Sequence, residues 1–126
     1  MVYRFAVASY SEVIYTLKFD PTQPPDFALS IDLTQHPALS IISTLKVGHQ
    51  PSWVEKHPTK SELIFTALEQ TAGRLLALTH DEKASKIKKI ACADSGGDAP
   101  CTILALENEV LVGNVGIHTP LKHSCT

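Results

Sequence analysis

The stretch Gly48-His49-Gln50-Pro51-Ser52-Trp53-Val54 returns as Gly97-Asp98-Ala99-Pro100-Cys101-Thr102-Ile103. Gly, Pro and the closing β-branched residue recur at one offset, 48 to 97, 51 to 100 and 54 to 103. Each copy runs on into a second apolar segment, Leu63-Ile64-Phe65-Thr66-Ala67-Leu68 after the first and Val110-Leu111-Val112-Gly113-Asn114 after the second. Short apolar runs parted by Gly, Pro and Asp predict strands. The phrase therefore marks the entry to a repeating unit of strands.

A repeat of roughly 40–50 residues built from short strands is the signature of a β-propeller blade. Working outward, the unit after Gly48 predicts four strands: Ser52 to Lys56, Leu63 to Glu69, Arg74 to His80 and Ile87 to Ala93. Gln70-Thr71-Ala72-Gly73 reads as the turn between the second and third, with Gly73 suited to a positive φ. Upstream, Tyr3 to Ala8, Ile14 to Phe19 and Leu39 to Val47 fit the second, third and fourth strands of an earlier unit, with Tyr15, Leu17 and Phe19 on one face. Pro21 to about His36 is a Pro-rich interruption, since proline cannot donate to a ladder. Downstream, a third unit begins at Pro100 and shows two strands. The predicted fold class is all-β: an incomplete β-propeller fragment of about two four-stranded antiparallel blades. Residues 1–114 form the blades and 115–126 a separate tail.

A helical alternative attaches to one segment. Thr59-Lys60-Ser61-Glu62 has the form of a capping box, and Leu63 to Leu78 is rich in good helix formers. The β-branched Val110-Leu111-Val112 at the equivalent place favours strands, as does Gly73, which costs a helix roughly 1 kcal/mol against Ala. A helix there would imply a small α+β domain instead.

The composition narrows the function classes. With 126 residues and 44% apolar content, the chain has a modest core. A net charge of −2 gives no electrostatic reason to expect nucleic acid or an anionic membrane as partner. No run of about 18 apolar residues predicts a membrane span, and the start does not read as a signal peptide. A cytoplasmic protein is expected. Cys92, Cys101 and Cys125 lack paired spacing and read as reduced thiols, and no metal site is predicted from them or from His118 and His123.

Strand order locates the candidate chemistry. In an antiparallel four-strand meander, the link into a new unit lies at the same end as the turn between its second and third strands. That end carries His49, Gln50, Glu69, Gln70 and Asp98, with Tyr10, Ser11 and Asn114. Loops at one end of a rigid scaffold are where ligands bind. His49 is titratable near neutral pH, Glu69 ends an apolar strand and can act as a general base, and Asp98 follows Gly96-Gly97. Each also has a plain structural reading: a solvated turn, an exposed strand end, and a bond from Asp98 to its own turn backbone. Arg74 can hold an anion. His57, before Pro58, lies at the opposite end and reads as structural, Trp53 as packing between blades, and the lysines from Lys83 to Lys89 as a solvated strand edge.

Several segments resemble a known family: Val7-Ala8-Ser9-Tyr10, Leu45-Lys46-Val47 with the Gly48 to Trp53 phrase, His57-Pro58-Thr59, Phe65 to Glu69, and Gly96 to Thr102. They are similar to the N-terminal part of the seven-bladed lactonase propellers, in particular the fungal 6-phosphogluconolactonase-like group and its carboxy-cis,cis-muconate cyclase relatives. The resemblance covers about residues 2 to 114. It implies hydrolysis of a sugar-phosphate lactone, 6-phosphogluconolactone to 6-phosphogluconate, in the pentose phosphate route, with no cofactor and no metal. His49, Glu69 and Asp98 fall inside the matching segments and are the expected catalytic residues by location. After Asn114 the pattern departs: Val115 to Thr126 reads as sequence from a shifted frame, a missed splice or a mispredicted gene end. Roughly five blades would then lie beyond the chain, and activity would be impaired. The alternative is a non-enzymatic, propeller-derived interaction module, or an inert fragment, self-associating through exposed blade faces.

Overall fold

The computed structural model describes residues 1–23, 38–81 and 83–116. Among them are nine strands: β1 (Tyr3–Ala8), β2 (Val13–Phe19), β3 (Leu39–Lys46), β4 (Pro51–Lys56), β5 (Leu63–Leu68), β6 (Arg74–Asp81), β7 (Lys86–Asp94), β8 (Asp98–Ala105) and β9 (Val110–Gly116). They form three antiparallel sheets in the orders β1-β2-β3, β4-β5-β6-β7 and β8-β9, here called blades one, two and three. No described helix is long and apolar enough to cross a membrane.

The segment with helical composition is β5 and β6. β5 lies between β4 and β6, and from Ile64 to Leu68 every residue is buried. A strand covered on both faces needs apolar residues at consecutive positions, so its sequence loses the two-residue alternation that would mark it. Thr66 tolerates full burial because its hydroxyl donates to the Trp53 carbonyl, 2.7 Å away.

Two apolar layers join the blades. Ile14 of blade one and Val47 share one buried cluster with Ile64, Leu68, Leu76, Leu78 and Ile87 of blade two. On the other face of blade two, Phe65 and Ala67 pack against Ile103 and Ala105 of blade three. Full burial of each large aliphatic side chain contributes about 1.5–3 kcal/mol.

Five details differ from the sequence-based expectations. Tyr15, Leu17 and Phe19 do share a face, but the more deeply buried side of β2 carries Ile14 and Thr16. The turn residue with positive φ is Ala72 (φ 55°), not Gly73. Gly73 is required by close approach instead, since a Cβ there would collide with Pro100 and the Ser95 hydroxyl. Trp53 is 39% exposed, its indole nitrogen donating to Glu55 at 3.4 Å, so it is at most a partial packing residue. Cys101 is a free thiol, whereas Cys92 is disulfide-bonded, against the expectation of reduced thiols throughout. Finally, β9 runs to Gly116, two residues into the expected tail. The rest of that tail, with His118, His123 and Cys125, lies outside the described residues, as does most of the Pro-rich interruption.

Candidate functional site

The link end of the blades is built by backbone hydrogen bonds that recur from blade to blade. The link from β3 to β4 is tied to the β1–β2 turn: Val47 N donates to Glu12 O at 2.9 Å, and Gln50 N to Ser11 O at 2.9 Å. The link from β7 to β8 is tied to the β5–β6 turn in the same manner: Ser95 N donates to Gly73 O and Ala99 N to Gln70 O, both at 3.0 Å. Gln50 and Ala99, equivalent in the repeat, both have φ of 50°. This left-handed conformation turns each link sharply into its innermost strand. The prolines that follow, Pro51 and Pro100, are both fully buried.

These ties gather the candidate residues. His49, Gln50, Glu69, Gln70, Thr71 and Ala99 line one open cleft. Glu69 is fixed through its own backbone, Glu69 N donating to Gln50 O at 2.9 Å. Its Oε2 is buried and has no hydrogen-bond partner in the protein. Such an oxygen is ready to accept from water or a ligand hydroxyl. Tyr10, exposed above it, has its phenol pKa raised by a hydrogen bond to the Glu69 carboxylate and next by that carboxylate's charge. On the same rim Glu12 pairs with Lys46 at 2.8 Å, which lowers the Glu12 pKa and raises that of Lys46. Both partners are largely exposed, so this pair contributes little to stability.

Asp98 has a different place. Its Oδ1 accepts from Ala72 N at 2.9 Å, so it pins the turn of the preceding blade. That bond stabilises the left-handed Ala72, next to Thr71 and Gln70 of the cleft lining. Asn114 locks the adjoining link: its Oδ1 accepts from Ser95 Oγ at 2.7 Å and its Nδ2 donates to Ser95 O at 2.9 Å. Arg74 is nearly buried and pairs with Asp94, its register partner on β7, at 3.5 Å. The structure thus brings His49 and Glu69 together and gives Asp98, Asn114 and Arg74 supporting positions. Among the described residues no group of three His, Cys, Asp or Glu stands close enough to hold a metal ion.

His57 lies at the opposite end, buried, and holds two blades together. Its Nδ1 accepts from Thr59 N at 3.2 Å and Lys60 N at 3.1 Å. The proton is therefore on Nε2, which donates to the Glu107 carbonyl of the β8–β9 turn at 3.1 Å.

Antiparallel sheets stacked face to face, each new one entered at an inner strand, with a polar cleft at the link end, define a β-propeller. The chain belongs to the seven-bladed β-propeller lactonase family: residues 5–114 match the family described as Lactonase, 7-bladed beta-propeller. A crystal structure from Bacteroides fragilis, of a protein provisionally described as a 6-phosphogluconolactonase, superposes with a TM-score of 0.66. The superposition covers 86% of this chain and 28% of that one, at 16% sequence identity, a level that speaks for the fold alone. A comparison with curated proteins finds no match.

Proposed function

We propose that the link-end cleft is part of a lactone-hydrolysing site, and that its substrate is a sugar-phosphate lactone, 6-phosphogluconolactone, opened to 6-phosphogluconate. The family supports lactone chemistry, and the Bacteroides fragilis neighbour's description supports the phosphorylated sugar. The observation that carries the reading is the buried, unpartnered Oε2 of Glu69 in one cleft with His49. Glu69 takes a proton from water as that water adds to the lactone carbonyl. His49 donates to the carbonyl oxygen as charge builds there, or to the ring oxygen as the C–O bond breaks and the alcohol forms. Asp98 contributes by holding the turn that carries Gln70 to Gly73. The pentose phosphate route and a cytoplasmic location go with this reading.

A coupled assay for 6-phosphogluconate on the purified chain tests it. Turnover above the buffer rate is expected, reduced about 10²-fold or more by Glu69→Gln and by His49→Ala, the range typical of general acid–base groups. No turnover at high protein concentration would sink the enzymatic reading. One observation favours the second reading, a non-enzymatic interaction module: blade three exposes Leu104, Leu111 and Val115 at 52%, 51% and 74%. An inert chain that binds further copies through these residues would support the module.

A further inference from the structure

At the end away from the cleft, blades one and two part around a cavity of about 570 Å³. Strand register identifies its two walls. Lys56 pairs with Ile64, Ile64 with Leu78, and His80 with Ile87, so Val54, Lys56, Ile64, His80 and Ile87 occupy one face of blade two. Ala6 pairs with Thr16, so Arg4, Ala6 and Thr16 occupy one face of blade one. All of these residues line the cavity. Towards the cleft the same two faces close in an apolar core of Ile14, Leu76 and Leu78. Away from it, polar groups replace the aliphatic ones.

Two of those polar groups are buried without a partner. Thr16 is 2% exposed and its Oγ1 has none, and the same holds for the buried Nε2 of His80. An unmet buried hydroxyl or ring nitrogen forfeits the hydrogen bonds it makes in water, so both are primed for a ligand atom. The only permanent charges in the lining are Arg4 and Lys56, both cationic and without an ion-pair partner among the described residues. Val54, Ile64 and Ile87 supply an apolar wall. The volume lies in the usual range for small-molecule sites, about 300–1,000 Å³.

We propose that this inter-blade cavity binds a small organic anion, an oxyanion carried on an apolar or ring body. The oxyanion is met by the Thr16 hydroxyl and His80 Nε2, its charge is offset by Arg4 and Lys56, and its body lies on Val54, Ile64 and Ile87. The site is separate from the Glu69 cleft and does not depend on lactone hydrolysis.

Phenyl phosphate is a suitable probe. Titrated into the isotope-labelled 126-residue chain, it is expected to give saturable NMR shifts at Arg4, Thr16, Lys56 and His80. Arg4→Gln, on an exposed side chain, and Thr16→Val, which keeps the shape, are each expected to weaken binding tenfold or more. Glu69→Gln is expected to leave it unchanged. Should Thr16→Val fail to fold, Arg4→Gln and His80→Gln decide the matter. No saturation at millimolar probe, undiminished binding in Arg4→Gln, or shifts centred on His49 and Glu69 would each overturn the proposal.

Discussion

His57 shows how much one side chain can carry. With Nδ1 accepting two backbone donors and Nε2 donating to Glu107, it closes the β4–β5 turn and fastens it to the next blade. His57→Ala leaves those groups unmet in a buried place, and a loss of about 1–3 kcal/mol is expected in chemical denaturation. Asp98 permits a similar test: Asp98→Ala strips the acceptor from Ala72 N, whereas Asp98→Asn retains one. The alanine variant should lose about 1–2 kcal/mol and the asparagine variant clearly less. For Tyr10, absorbance titration should find one phenol above the ordinary tyrosine value, absent in Tyr10→Phe and restored towards normal in Glu69→Gln. The sign follows from linkage: a raised folded-state value means the Tyr10–Glu69 contact is intact below the unfolded phenol's pKa and is lost as pH rises through the folded one. At this scale the sequence was only partly legible. His49 and Glu69 stood out by position, but the partner of Asp98 sits 26 residues away in the preceding blade, beyond the reach of local turn rules.

At the scale of strands, the repeat made the elements readable, because its Pro marks the same backbone event twice. In both copies the ladder slips just after the proline, between Pro51 and Trp53 and between Pro100 and Thr102. Each slip is a bulge that adds twist and re-aims the side chains of the innermost strand. The residue in the first bulge, Ser52, donates its hydroxyl to Pro100 O at 2.9 Å and so laces β4 to β8. Ser52→Ala is expected to cost about 0.5–1.5 kcal/mol, read as a lowered midpoint in denaturant. Gly48→Ala should be harsher: φ is +130°, and the added Cβ would lie 2.9 Å from Leu68 Cδ1. Loss of the folded circular dichroism spectrum at moderate denaturant is the expected sign. What the strand pattern hid was the inter-blade cavity. Thr16 and His80 interrupt the inward series Ile14-Thr16-Lys18 and Leu76-Leu78-His80, a polar substitution visible in the sequence but easily taken for an outward position. Alternation alone does not say which face of a strand is buried, as the apolar Tyr15-Leu17-Phe19 face of β2 also shows.

Across the molecule, three sheets of three, four and two strands share two apolar interfaces, and the outermost faces have no such cover among the described residues. Blade one presents Tyr3 and Phe5, 45% and 47% exposed, with the Tyr3 ring stacked on Phe19 at 6.3 Å. Blade three presents Leu104 and Leu111. Light scattering on the purified chain should therefore show self-association that grows with concentration, and Leu104→Lys with Leu111→Lys should reduce it. A monomer at all concentrations would count against the module reading. Strand β7 behaves otherwise, for Lys86, Lys88 and Lys89 keep that outer edge solvated, as its sequence suggests. The paired left-handed residues Gln50 and Ala99 have one further consequence. The two links share a φ at Gln50 and Ala99, a buried proline and a bulge, so the same entry into an inner strand is built twice in different surroundings. A segment exchanged from Gln50 or Ala99 onward would keep this local geometry, whereas one reaching back to Gly48 or Gly97 would not, since Gly48 has φ of 130° and the second link has its positive-φ glycine at Gly96. The side chains at this end can thus be exchanged only from the left-handed residue onward without altering the path of the link.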